Sequence, residues 1–459
     1  MKKVKMRHKI PTGEKRSLLR KEQILSAVKV FLRFHYFAKN PAAATLPIFL
    51  LFINTLLFPT LLKADCFGYF ESEGDGLQSK SSEYLFGYHK LRLDFQTQPE
   101  ANLKISANLT AKKYWGKRTM NLMDFLPDKL LEPFLNSSFM YPGEPLSFTM
   151  ADTIYLDNFY LDAYAGNLHL TLGRQQISPG VGYAWNPTDI FNRKDPMDPT
   201  YEQSGADAIA LELPVGAYLT LSAILQPKES WDTTVRYGKG KFSFSAFDFS
   251  LVYGYFQRLF THLEWPLIFM GMTESVQNRE LLGFSFFTDL AGLGFWLEAA
   301  RCYNRLAGYQ YFDFSDANRF YEDPYLANDG HYWQLLIGAD YTSNSSLHIL
   351  AEYFYNGFGS KKDQVNFNHY LDYLDGKTLT LNQNYLFLSL LYPWGDSVTA
   401  GIFTLANLDD QSFLLNPQLI FQSGNNLELS LMLSAGLGNA ESEMGLQKYG
   451  GRLRLRAWF

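Results

Sequence analysis

The sequence predicts an all-β chain folded as a transmembrane antiparallel β-barrel, and three observations carry that prediction. Beyond residue 66, apolar and polar residues alternate with a period of two in stretches of about 10 to 13 residues, a length that suits tilted membrane strands better than the five or six residues usual in a soluble sandwich. The turns between stretches are very short on one side (Gln98-Pro99-Glu100, Ala165-Gly166, Pro214-Val215-Gly216, Asn344-Ser345, Gly395-Asp396, Gly424-Asn425) and often much longer on the other. Short periplasmic turns and long extracellular loops are the asymmetry of membrane barrels. After the amino-terminal segment no apolar run approaches a helical span, although Phe, Tyr and Trp make up 16% of the 459 residues.

Residues 1–64 read as a basic leader and secretory signal, removed on export. Residues 1–63 carry 13 Lys or Arg against Glu14 and Glu22, and the run Leu46 to Leu62 precedes Lys63-Ala64-Asp65, where cleavage is expected. The remaining 28 basic and 44 acidic residues make the body acidic, which argues against a nucleic-acid partner. Two cysteines exclude a disulfide scaffold, and no disulfide between Cys66 and Cys302 is expected.

Residues 65–459 read as a single barrel domain. Strands are expected near 66–73, 84–96, 101–114, 153–164, 167–177, 206–213, 217–226, 231–243, 246–258, 279–289, 292–304, 332–342, 346–357, 384–393, 397–407, 410–421, 426–437 and 448–459. The clearest is 427–437, where Leu427, Leu429, Leu431 and Leu433 share a face opposite Glu428, Ser430, Met432 and Ser434. Eighteen is the count; the first strand and the 231–258 pair alternate most weakly, which leaves sixteen as the alternative. Pro417 counts against its own strand because it has no N–H to donate.

The last ten residues, Gly450 to Phe459, alternate cleanly and stop on an aromatic. They resemble the terminal strand that the barrel-assembly machinery recognises, with Phe459 as the signal. Residues 153–214 carry a second resemblance: Leu172-Gly173-Arg174-Gln175-Gln176-Ile177, then Asn186-Pro187-Thr188-Asp189-Ile190-Phe191-Asn192, Asp195-Pro196 and Asp198-Pro199. This stretch resembles an uncharacterised family of Gram-negative outer-membrane barrel proteins, loosely similar to porins and alginate-export barrels. The resemblance implies an outer-membrane barrel in contact with outer-membrane lipid and lipopolysaccharide.

Physically, Asn186-Pro187-Thr188-Asp189 is turn and helix-start chemistry. The 28-residue loop 178–205 is expected to fold inward, with Asn186, Pro187, Thr188, Asp189, Phe191 and Asn192 as a candidate constriction. Its acids Asp189, Asp195, Asp198 and Glu202 read as a solvated acidic loop rather than a calcium site. Arg174 shares parity with Leu168, Leu170 and Leu172, so it is expected to point outward near the rim. Parity turns Lys90, Arg92, Lys104, Arg452, Arg454 and Arg456 inward as one basic sector, and Glu298, Asp340 and Glu352 inward as an acidic sector across the lumen. The competing expectation is that such charges neutralise their neighbours, as Glu428 beside Arg456 would.

The function this suggests is a porin-like channel for passive, somewhat selective diffusion of small polar solutes, anionic or zwitterionic. The alternative is a non-conducting barrel that presents loops for adhesion or envelope assembly. No hydrolase elbow, zinc-protease motif or phosphate-binding loop is present, so no enzymatic activity, cofactor or metal is expected.

Overall fold

A computed structural model describes residues 64–80, 82–135, 147–264, 271–313, 320–321 and 330–459. The leader and its apolar run lie outside the described residues, as do parts of the loops at 115–152 and 305–331. Eighteen antiparallel strands close into one barrel. They are β1 Ala64–Ser79, β2 Ser82–Glu100, β3 Leu103–Gly116, β4 Thr153–Ala165, β5 Leu168–Gln175, β6 Ala206–Val215, β7 Leu219–Gln226, β8 Val235–Phe244 and β9 Phe247–Glu264. The ring continues with β10 Gly271–Leu290, β11 Leu293–Asp313, β12 Gly330–Thr342, β13 His348–Asn356, β14 Asn384–Trp394, β15 Val398–Asn407, β16 Ser412–Ser423, β17 Leu427–Leu437 and β18 Gln447–Trp458. Closure is made by β18 on β1, with Arg456, Arg454 and Arg452 opposite Glu71, Glu73 and Asp75.

The outer face is apolar. Leu251, Leu282, Ile337, Leu388, Leu390, Leu429, Leu431 and Leu453 are all exposed there, as side chains bathed in lipid must be. In β1 that face instead reads Ser72, Gly74 and Gly76, which is why its alternation is weak. Trp115 supplies the missing apolar surface, its ring lying against Gly74 and Gly87, and a Cβ on Gly87 would collide with it. β1 therefore runs on to Ser79 rather than ending at 73. Strands β9, β10 and β11 also extend past their expected outer ends, to Glu264, Gly271 and Asp313, because the backbone ladder between them continues there. Pro417 is accommodated by a lapse: the β16–β17 ladder omits Asn416 and Pro417 while pairing with β15 continues.

The lumen is not uniformly polar. Trp185 sits against inward-facing Leu336, Phe354, Tyr385 and Phe387, and Ile177 against Tyr237, Val252 and Leu281. On β14 both faces are apolar, with lipid outside and the loop between β5 and β6 inside. A second layer caps the extracellular end. Helices α1 (Asp128–Leu135) and α2 (Phe367–Leu374) bury Leu126, Leu131, Phe367, Tyr370 and Leu381 together. A capping box starts α2: Asn366 Oδ1 accepts from the His369 N–H at 3.2 Å, and the Asn366 N–H donates to His369 Nδ1 at 3.1 Å.

Candidate functional site

The segment from 176 to 205 leaves β5, crosses the lumen and returns to β6. Its first half is shaped by turn chemistry. The Asp189 N–H donates to the Asn186 carbonyl at 3.2 Å, and Asp189 Oδ1 accepts from the N–H groups of Phe191 and Asn192 at 2.8 and 3.0 Å. Gly182 is required there, since a Cβ would run into the Trp185 carbonyl. Lys194 Nζ closes the turn by donating to the Gly182 and Tyr183 carbonyls at 2.6 and 3.1 Å. Phe191 packs edge-on against Tyr237, and Pro187 is buried.

This half of the loop is pinned by two carboxylates, each 0% exposed. Glu298 on β11 accepts from the N–H groups of Val181, Gly182 and Thr188 and from the Thr188 hydroxyl at 3.0 Å. Glu352 on β13 accepts from Tyr183, Ala184 and Trp185 N–H at 2.6, 2.7 and 3.3 Å and from the Trp296 indole at 2.7 Å. Gly338, between them on β12, leaves room for the Trp296 ring to reach across to Glu352. Among the described residues neither carboxylate has a Lys or Arg within 4 Å; peptide dipoles do the work of a counter-charge.

The second half of the loop reaches the nearly opposite wall, where β18, β1 and β2 meet. Arg456 pairs with Glu71 at 2.5 Å, Arg454 with Glu73 at 2.5 Å, and Arg452 with Asp75 at 2.8 Å. Asp198 joins Arg454 at 2.7 Å, and Glu202 joins Lys90 and Arg92 at 2.9 and 2.8 Å. Hydroxyls complete the lattice: Tyr201 and Tyr88 each donate to Glu71 at 2.8 Å, and Tyr69 donates to Glu202 at 2.8 Å. Between loop and wall lies a cavity of about 340 Å³, whose lining includes Lys112, Arg452 and Arg454 from the wall and Arg193, Lys194 and Asp195 from the loop.

Electrostatics in the loop follow from burial. The Asp189 carboxyl is pushed up to about 7, mainly by burial, with Glu298 adding to it and the two N–H donors opposing. Its Oδ2 has no hydrogen-bond partner. Burial lowers Lys194 despite the nearby Glu352, Glu298 and Asp189. Burial works to raise Glu202, yet Lys90, the Tyr69 hydroxyl and Arg92 outweigh it and hold the carboxyl below its ordinary value.

Several expectations change. Lys90, Arg92, Arg452, Arg454 and Arg456 do share a wall, but as a paired lattice rather than an open basic sector. Lys104 stands apart near the periplasmic end, opposite Asp162 on β4. Glu298 and Glu352 lie beneath the loop rather than facing water, and Asp340 pairs with His348 at 3.0 Å. Glu428 is opposite Arg456 in the ladder, but Arg456 turns to Glu71 instead. Asp198 and Glu202 are only partly open to water, and arginines and a lysine hold them. Arg174 faces outward and pairs with Asp207 at 3.2 Å. Phe459 extends β18, exchanging backbone hydrogen bonds with Gly68 at 3.0 Å in each direction. Glu71, Glu73 and Asp75 were missed, although their period-two spacing on the strand that must neighbour the last one was a usable signal.

A closed antiparallel barrel with an apolar exterior and an interior crossed by a loop and lined partly by charged side chains is a bacterial outer-membrane protein. No protein-family model matches this sequence, and no curated protein does. Solved structures are similar in outline. The outer membrane protein opdK of Pseudomonas aeruginosa matches at 11% identity over 86% of this chain and 98% of that one, with a TM-score of 0.49. OccK8 (OprE) of the same organism matches at 10% identity over 86% and 98%, TM-score 0.48. OccK3 (OpdO), again from that organism, matches at 13% identity over 88% and 97%, TM-score 0.47. At these values no residue of those proteins maps onto this chain.

Proposed function

We propose that this barrel is a constricted channel for passive, selective diffusion of small polar solutes, anionic or zwitterionic, and not an enzyme. The observation that carries the reading is the loop 176–205, tethered to opposite walls and leaving a polar cavity beside the arginine lattice. Fixed charges of both signs along that cavity replace part of a solute's hydration and orient its dipole as it passes. Lys112 tips the balance toward anions, because it lies 3.6 Å from the Tyr88 ring centre with no carboxylate within 4 Å among the described residues. The test is single-channel recording in planar bilayers with a salt gradient. Ohmic steps with a reversal potential of weak anion preference support the reading, and strong cation preference overturns it.

The alternative of a non-conducting scaffold is favoured by a different observation, the apolar cap of α1 and α2 over the extracellular end. A correctly folded barrel that stays silent in the same recordings would establish it. Phe459, continuing the closing strand, is proposed as the contact for the barrel-assembly machinery.

A further inference from the structure

The outer wall is not apolar all the way up. On β8 to β12, at the upper edge of the lipid-facing band, Arg236, Arg301 and Arg305 point outward. Arg301 lies eight residues above Leu293, and Arg236 eight above Phe244, or about 20 Å up a strand tilted by roughly 40°. The apolar band of such barrels is about 25 Å tall, so both stand just inside its outer edge and Arg305 just beyond it.

Each of the three rests on a girdle aromatic: Arg236 over Tyr255 and Trp231 at 3.9 and 4.9 Å, Arg301 over Trp333 at 5.8 Å, and Arg305 over Tyr303 at 5.7 Å. None has a carboxylate within 4 Å among the described residues. Elsewhere on the rim the chain answers its own arginines, with Asp207 on Arg174 at 3.2 Å and Asp152 on Arg118 at 3.0 Å. Glu280 sits in the same row, between Tyr255 and Tyr303, and leaves the patch with two net positive charges. A guanidinium facing hydrocarbon without a partner is costly, and the group that neutralises it at this depth is a lipid phosphate.

We propose that this patch binds the phosphorylated headgroup of an outer-leaflet glycolipid. Exposed Leu282 and Leu335 flank Arg301, so the ligand is an amphiphile whose acyl chains continue down the wall below its phosphates. The inference needs only the placement in the outer membrane and is independent of whether the lumen conducts.

The test is native mass spectrometry of the full-length barrel in detergent with diphosphoryl lipid A. The triple variant R236Q/R301Q/R305Q is expected to bind roughly a hundredfold more weakly, about fivefold per arginine. Dephosphorylated lipid A is expected to bind wild type as weakly as that, and R174Q, outside the patch, to match wild type. Should the triple variant not fold, as judged by heat-modifiable gel migration, R301Q and R305Q alone serve, each on an exposed strand position. Wild-type affinity in the triple or in both single variants, or equal binding of the dephosphorylated lipid, overturns the proposal.

Discussion

Two walls of the barrel carry buried carboxylates, and they are stabilised in opposite ways. Where β18 meets β1, three acids face three arginines in register, each charge answered by a side chain. Across the lumen, Glu298 and Glu352 have no Lys or Arg within 4 Å among the described residues and are answered by six backbone N–H groups, a hydroxyl and an indole. A carboxylate satisfied by side chains can be built from two strands alone. One satisfied by peptide groups needs a loop to arrive, so these glutamates report the position of the loop.

That contrast is broken most forcefully by Glu352→Ala. Three N–H groups and the Trp296 indole lose their acceptor, at roughly 1–3 kcal/mol for each donor left buried and unpaired. The loop is expected to leave the lumen while the barrel stays closed, so single-channel conductance rises and Trp fluorescence shifts to the red. Next in size is the Glu73–Arg454 pair. Arg454→Gln removes the nearest cation of Glu73 and of Asp198 and leaves each with Arg452 at 3.7 Å. The loss therefore falls below the roughly 3–5 kcal/mol of a fully buried, fully stranded charge, the more so because Asp198 is partly open to water. A double-mutant cycle with Glu73→Gln, read by urea unfolding from micelles, is expected to give coupling of about 0.5–3 kcal/mol.

Acidity sharpens the comparison, since the loop docked on the peptide-anchored side holds a strongly raised carboxyl. Asp189 titrates at about 7 in the folded loop, well above its solvated value, so protonation favours the inward state and that state weakens as pH rises through 7. The difference between pH 6 and pH 8 is about 1.4 kcal/mol. Tryptic cleavage after Arg193 or Lys194, corrected for the enzyme's own pH profile, is expected to quicken at pH 8, and Asp189→Asn to flatten that dependence. The smallest effect belongs to an outward pair: Asp207→Asn removes the partner of Arg174 at an exposed site, and the unfolding midpoint is expected to move by less than about 1 kcal/mol of stability.

The barrel was legible because lipid imposes a period of two on every strand that crosses it. Leu427 to Leu437 shows this plainly, and strand positions, short-turn side and closure all follow. Legibility fails where lipid is not the only apolar neighbour. On β14, Tyr385 and Phe387 face inward and are as apolar as Leu386 and Leu388 facing out, because a loop covers the inner side. On β1, Trp115 from β3 replaces the alternation that Gly74 and Gly76 lack. Parity placed Glu298, Glu352, Arg452, Arg454 and Arg456 inward. It carried no information on what each would meet.

By itself, then, the amino-acid order determined the strands, their facing and the ring they close, since each depends on a side chain's contrast between lipid and water, a property local to a few residues. Which charge answers which was decided only in three dimensions. Glu71 and Arg456 are separated by nearly the whole chain, and Glu352 waits on peptide groups from a loop more than 160 residues away. Closure and loop docking set those distances, and no local pattern encodes them.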